Sequence, residues 1–508
     1  MKGVNVMKRN FKRSISVLTL IVLVVMTMTF TVHANQNTAD ANANAKTKDT
    51  LNWLSNLQYR GDNKVIIGQY VTRQANNTDG RTPAQAWQYY FEDLYNATGK
   101  YPGMAGFDFS TKAKNQQSGD NTPGDSNWRS YAVEHYNNKG TLRFMWHASN
   151  PWTGGNAWTE IPAGSSLKDI ITPGNSAYDT WISWLDTIAG LLQYYESNNI
   201  TVIWGPLHES NGSWFWWGTG TGSSDADFVL VWQHMFNYFT NTKGLHNLIW
   251  AYCPDNGASV TTSVNKYPGN SYVDVIAPDR YTSGTNSPST AHYTEFTQSG
   301  YGKVFGWGEA GTKAAGGAVD NRKYINEIMS IFPKTAFYMQ WMDVEGDAHS
   351  IRANNYADEV MDEDWILTRN EMGDYSVYII DNNNTLCTKT GTWSNSTLSS
   401  GYRGTNYSVS AAGTGADYVV WKPNLAEAGN YGVYYWQPAG TSAMATNTQF
   451  TVYYNGGSQT YTVNQQTAVG GQWILLGTHN FAAGTGGYVK MTDNANNWVV
   501  ADGIKFQK

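Results

Sequence analysis

Ionised side chains are scarce in this 508-residue chain. Its 34 Lys and Arg and 40 Asp and Glu amount to 15% of the residues, where about a quarter is usual for a soluble domain. A net charge of −6 lacks the basic excess of a nucleic-acid binder. Cysteine is nearly absent: Cys253 and Cys387 are too few for a disulfide framework, and they fall in different parts of the chain. Beyond residue 30 no apolar run reaches the roughly 20 residues that span a bilayer. Disorder is excluded by a hydrophobic content of 41%. What the chain has in excess is aromatic rings, 14% of all residues, with 22 Trp and 33 Tyr. Such rings fill cores, and they also form platforms for flat neutral ligands such as sugars.

Residues 1–34 have the composition of a secretory signal peptide. Lys2, Lys8, Arg9, Lys12 and Arg13 precede an apolar run from Val17 to Phe30, and Val32-His33-Ala34 supplies a small-residue cleavage site. The expected product is an exported, extracellular protein with no membrane attachment after cleavage. Residues 35–47 are Asn/Ala-rich and read as a flexible linker.

Over residues 48–372, eight strand-like runs alternate with helix-like stretches. The runs are Val65–Ile67, Met104–Phe109, Thr141–Trp146, Thr201–Trp204, Leu248–Tyr252, Val273–Ala277, Val304–Trp307 and Ala336–Met339. Apolar residues recur at helical spacing over Ala177–Ser197 and Asp225–Thr240. Eight strands separated by helices predict an α/β fold of the (β/α)8 barrel type. An open doubly wound sheet is the alternative, but no Gly-rich phosphate fingerprint follows the first run. Over residues 374–508 the helical period disappears. Short Tyr/Val/Thr-rich runs between Gly, Asn and Asp turns predict an all-β sandwich.

In a barrel of this kind, chemistry gathers at the C-terminal ends of the strands. There the sequence offers Gln69, Asp108, His147, His208-Glu209, Asp279, Tyr281, Glu309 and Trp341. Glu209 and Glu309 follow the fourth and seventh runs, and paired carboxylates flanking a bond are the machinery of glycoside hydrolysis. Each lies in aromatic and Gly-rich sequence, Gly205-Pro206-Leu207-His208-Glu209-Ser210-Asn211-Gly212 then Trp214-Phe215-Trp216-Trp217, and Trp307-Gly308-Glu309-Ala310-Gly311. No cofactor motif or metal cluster is apparent; His349 and Asp347 stand too isolated to build one.

The string around Glu209 resembles the acid/base motif of glycoside hydrolase family 26, a group containing many β-mannanases. The resemblance extends over most of residues 51–372, through Leu51-Asn52-Trp53-Leu54, Trp146-His147-Ala148-Ser149-Asn150-Pro151, Trp250-Ala251-Tyr252-Cys253-Pro254-Asp255 and Tyr272-Val273-Asp274-Val275. It implies a retaining double displacement with Glu209 as general acid/base and Glu309 as nucleophile. Burial and the neighbouring negative charge are expected to raise the pKa of Glu209. The resemblance further implies substrate-binding roles for His147, His208, Trp214 and Trp341, and a bond from Tyr281 to the nucleophile. Asp279 joins them as a cleft residue, and Trp152 by its place in the loop after the third strand.

Two departures loosen the substrate. Gly205 stands four residues before Glu209, where the family commonly has an arginine, and Met342 follows Trp341, where another is common. Arg280 either supplies a replacement charge or faces outward. β-1,4-Mannan leads, with β-1,3-xylan, mixed-linkage β-glucan and an exopolysaccharide as alternatives. A non-catalytic polysaccharide-binding protein on a decayed barrel is the alternative of another class, disfavoured by the retention of both carboxylates.

Residues 374–508 resemble the golvesin C-terminal-like domain, through Gly391-Thr392-Trp393-Ser394, Gly413-Thr414-Gly415-Ala416-Asp417, Gly429-Asn430-Tyr431 and Val499-Val500-Ala501-Asp502-Gly503. Trp393, Trp436, Trp473 and Trp498 suggest carbohydrate binding there, or simply the core of a small sandwich. The whole reads as a monomer acting on a polysaccharide, with no nucleic-acid or membrane partner.

Overall fold

The computed structural model describes residues 37–57, 64–71, 81–109, 126–282, 288–298, 300–312, 319–344, 347–363, 365–372, 377–383, 386–403, 406–425, 428–467 and 469–508. The expected leader, residues 1–34, lies outside the described residues. No helix among the described residues is long and apolar enough to cross a membrane.

Parallel strands form a closed barrel: β1 (Val65–Tyr70), β2 (Met104–Asp108), β3 (Thr141–Trp146), β4 (Val202–Pro206), β5 (Leu248–Tyr252), β6 (Val275–Ile276), β7 (Asp279–Thr282), β8 (Val304–Thr312) and β9 (Thr335–Gln340). Closure comes from β9, which pairs with both β8 and β1. The sixth stave is broken. Pro278 has no N–H to continue the ladder, so β6 and β7 are separate segments that each pair with β8. A short β10 (Ile366–Leu367) adds to the start of β1.

The strands are buried along their length, as expected when helices cover a parallel sheet. Alternation along β3 sorts its side chains. Phe144 and Trp146 face the helix Ser176–Ser197, where they meet Tyr195 and Trp181, while the intervening residues face the barrel interior. That helix is started by the Asn175 side chain, which accepts from the Ala177 N–H at 2.9 Å. The helix Asp225–Asn237 opens on a capping box between Ser224 and Asp227.

The expected linker is docked from residue 37 onward rather than flexible. Asp274 accepts from the Ala39 N–H at 2.6 Å, Asp40 meets His246 at 2.7 Å, and a helix begins at Ala45. Its composition is polar, but Thr38, Asp40 and Ala43 are buried and their polar groups are matched.

The C-terminal region is built of antiparallel sheets. β11 (Val377–Ile380), β22 (Ile504–Gln507), β16 (Gly429–Gln437) and β19 (Gln472–Phe481) form one. β12 (Cys387–Thr390), β15 (Tyr418–Trp421), β20 (Tyr488–Thr492), β17 (Thr448–Tyr454) and β18 (Gly457–Val463) form another. A third small sheet contains β13 (Ser394–Ser396), β14 (Tyr407–Ser410) and β21 (Val499–Ala501). Trp421, Tyr435, Phe450 and Phe506 belong to its own hydrophobic core, separate from that of the barrel.

Candidate active site

The turn leaving β4 is strained in a way that aims Glu209. Leu207 and Glu209 adopt φ of 49° and 51°, a left-handed conformation that costs a non-glycine residue energy and must be held by its surroundings. The Glu209 N–H donates to the Cys253 carbonyl at 2.6 Å, tying this turn to the end of β5. Trp217 donates its indole N–H to the His208 carbonyl at 2.7 Å, and Trp216 donates to the Ala148 carbonyl at 2.8 Å. The tryptophans after Glu209 thus fasten the β4 loop to itself and to the β3 loop.

Glu209 is half-buried, and the Trp214 indole N–H donates to its Oε2 at 2.6 Å. Gly212 makes this possible, because a Cβ there would sit 2.4 Å from the Trp214 ring. Glu309 lies in β8, in register with Asp279 of β7. The Tyr281 hydroxyl donates to Glu309 Oε2 at 2.6 Å, while Oε1 has no hydrogen-bond partner among the described residues. His208 Nε2 stands 3.6 Å from that Oε1. Burial, then the nearby His147 and Arg143, holds the His208 imidazole well below its ordinary pKa. It is therefore neutral, and this is a polar contact rather than an ion pair.

His147 is oriented by Asp108, which accepts from its Nδ1 at 2.7 Å and from its backbone N–H at 3.2 Å. Its ring meets His208 edge-on at 4.4 Å and stacks on Trp158 at 5.3 Å. Trp341 packs on Tyr70 at 4.6 Å and lies 6.4 Å from His147, its carbonyl held by Gln69 at 3.1 Å. Six of the expected binding residues, His147, His208, Trp214, Asp279, Tyr281 and Trp341, thus share one strand-end mouth with the two glutamates.

Trp152 does not join them. Its indole donates to Asp169 at 3.2 Å and its ring rests edge-on against Trp216, so it braces the loop. The exposed ring of that loop is Trp158, against His147 and Phe215. Arg280 faces outward into the helix layer, bonded to Glu327 and set against Trp307, Tyr324 and Phe332.

Glu309 is completely enclosed, and burial raises its pKa to about 7, with the Tyr281 hydroxyl, His147 and Arg143 pulling it back. Glu209 is less enclosed, half-buried at the turn after β4. Asp279 is raised well above the carboxylate range by burial and then by Glu309, and neither of its oxygens has a hydrogen-bond partner among the described residues. His208, Asp279 and Glu309 also bring ligand-type atoms within 4.8 Å of one another. The group holds two carboxyls driven toward their neutral forms, and it includes the glutamate the hydrolytic reading needs as a nucleophile.

A parallel barrel carrying paired glutamates at the ends of separate strands, each held by one aromatic donor, defines a glycoside hydrolase. The chain belongs to glycosyl hydrolase family 26, whose description matches residues 39–371, and residues 363–508 match the Golvesin C-terminal domain. A mannan endo-1,4-beta-mannosidase of Bacillus subtilis is 30% identical over 332 residues, 64% of this chain and 87% of that protein. The mannan endo-1,4-beta-mannosidase A and B of Caldalkalibacillus mannanilyticus is 28% identical over 383 residues, 72% of this chain and 69% of that protein. A solved Bacillus subtilis mannanase is 27% identical with a TM-score of 0.58, covering 66% of this chain and 96% of its own.

Proposed function

We propose that the chain is a secreted endo-acting β-1,4-mannanase that cleaves with retention of anomeric configuration. The observation that carries it is the pair of matched donors: Trp214 on Glu209 and Tyr281 on Glu309, each at 2.6 Å. Glu309 Oε1, without a hydrogen-bond partner among the described residues, attacks the anomeric carbon as Oε2 remains anchored to Tyr281. Glu209 gives its proton to the departing glycosidic oxygen. In the second step Glu209 takes a proton from water, whose oxygen displaces Glu309 from the sugar. Neutral His208, beside the attacking oxygen, is suited to a hydroxyl of the bound sugar. Trp158 and Trp214 are the partly exposed rings at the mouth and suit sugar faces.

Mannan is favoured because the relatives above are named for that substrate. The family resemblance at 341–342 puts an arginine where this chain buries Met342, so β-1,3-xylan and mixed-linkage β-glucan are the informative comparison substrates. Export is inferred from the basic, then apolar, composition of residues 1–34. Product analysis on mannan, xylan and glucan, with Glu309→Ala beside the parent, tests the proposal. Internal cleavage of mannan that disappears in the variant is expected; preferred hydrolysis of another glycan overturns the substrate.

A further inference from the structure

Arg143 sits inside the barrel on β3, completely buried, and no ion pair to it is found among the described residues. Its hydrogen bonds go to neutral groups. Nη1 donates to the Phe144 carbonyl at 2.9 Å and Nη2 to the Cys253 sulfur at 2.9 Å, while Nε has no partner among the described residues. Burial pushes the Cys253 thiol up to about 11, so it supplies no counter-charge near neutrality. A buried guanidinium without an anion is costly. The space for it comes from β4: a Cβ on Gly205 would lie 2.1 Å from Arg143 Nη1 and 2.6 Å from Cζ. A charge placed so deliberately, in a pocket cleared by a glycine, needs a destination.

We propose that Arg143 is a positioning residue whose counter-anion is the Glu309 carboxylate, and that Gly205 is the clearance that lets its guanidinium lie beneath the catalytic pair. Resting on the nucleophile role proposed for Glu309, this assigns Arg143 the task of keeping that enclosed carboxyl ionised before attack. The groups facing Glu309 include Tyr281 and Asp279 from β7, Tyr70 at the end of β1, His208 and Glu209 beyond β4, Cys253 beyond β5, and His147 beyond β3 paired with Asp108 at the end of β2. Asp279 is driven neutral and His208 is neutral, so neither supplies what Arg143 supplies. The positive field of Arg143 acts on Glu309 and Asp279, lowering the pKa of each against burial. Arg280, the other arginine near these strands, is committed to Glu327.

The test uses the full chain and the pH profile of kcat/KM on galactomannan, with Arg143→Met, Arg143→Lys and Gly205→Ala. The parent's activity and its loss in Glu309→Ala establish the nucleophile independently of Arg143. Loss of the cation raises the pKa of Glu309, so the acid limb of Arg143→Met moves up by about one unit. Its kcat falls roughly 10- to 100-fold while KM changes little. Arg143→Lys keeps the charge and restores the limb to within about 0.3 unit of the parent. Gly205→Ala displaces the guanidinium and moves the limb upward without touching Arg143. A folded Arg143→Met with an unmoved limb, or Met and Lys variants that lose activity equally at an unmoved limb, overturns the proposal. Should Arg143→Met not fold, Gly205→Ala decides, and an unmoved limb there contradicts it.

Discussion

Tyr281 and Glu309 meet through a single 2.6 Å hydrogen bond, and that bond opposes the burial that would otherwise keep Glu309 protonated. Tyr281→Phe removes the hydroxyl and leaves the ring, so the acid limb of kcat/KM moves to higher pH and kcat falls by roughly tenfold or more. A pH–rate series on the purified variant checks this. At this scale the sequence made the two glutamates and six of their neighbours visible, because all but Trp214 stand just past an apolar run at a strand end and Trp214 lies in the motif around Glu209. It did not show that Glu309 is the more enclosed of the two, since the depth of a strand-end carboxyl depends on loops from other strands. Arg143 carried a weaker signal. Arg143 is a lone cation within the otherwise uncharged Thr141–Trp146, and its inward side follows from alternation once the strand is recognised.

The loop after β4 shows how an element is built from aromatic rings. Of the six tryptophans clustered after β3 and β4, Trp146, Trp216 and Trp217 are buried, Trp152 is half-buried, and only Trp158 and Trp214 are exposed, each by little more than a third. The clustering had pointed to a sugar groove, yet Trp216 and Trp217 pin loops together through N–H bonds to backbone carbonyls, and Trp152 and Trp214 donate to carboxylates. Composition cannot separate a ring that holds a loop from one that faces a ligand; the difference lies in where each indole N–H finds its acceptor. Trp217→Phe leaves the His208 carbonyl without this donor, at a cost of about 1–3 kcal/mol, and thermal unfolding should register the loss. Gly212→Ala has the opposite profile. Its new methyl pushes Trp214 away from Glu209, so activity falls by roughly tenfold or more while the unfolding midpoint barely moves, because that ring is 39% exposed. The eight-run pattern anticipated the barrel well. It missed the break at Pro278, where the sixth stave becomes two short segments, and it treated the polar segment after residue 35 as loose although Asp274 and His246 hold it.

For the molecule as a whole, pH acts through carboxyls that folding encloses. Asp502 in the C-terminal region is raised to about 8, chiefly by burial, against about 4 in an unfolded chain. Between those values the native state holds a proton that the unfolded state lacks, so stability falls as pH rises and levels off above about 8. The buried histidines held low, His135, His208 and His292, oppose this only below about 6.5, where unfolded imidazoles gain their protons. The unfolding midpoint should therefore drop between about pH 6.5 and 8, and drop less in Asp502→Asn, as scanning calorimetry at the two pH values would reveal. The sparse charge noted at the outset suits a neutral polymer recognised by rings and hydroxyl-directed groups. The most direct measurement of the central claim is time-resolved proton NMR of the anomeric signals released from mannan, with Glu309→Ala as the control. A retaining endo-mannanase built on Glu209 and Glu309 releases β-anomeric manno-oligosaccharides first, and Glu309→Ala lowers the rate by at least about a thousandfold. First-formed α-anomers, or undiminished hydrolysis by Glu309→Ala, would contradict it.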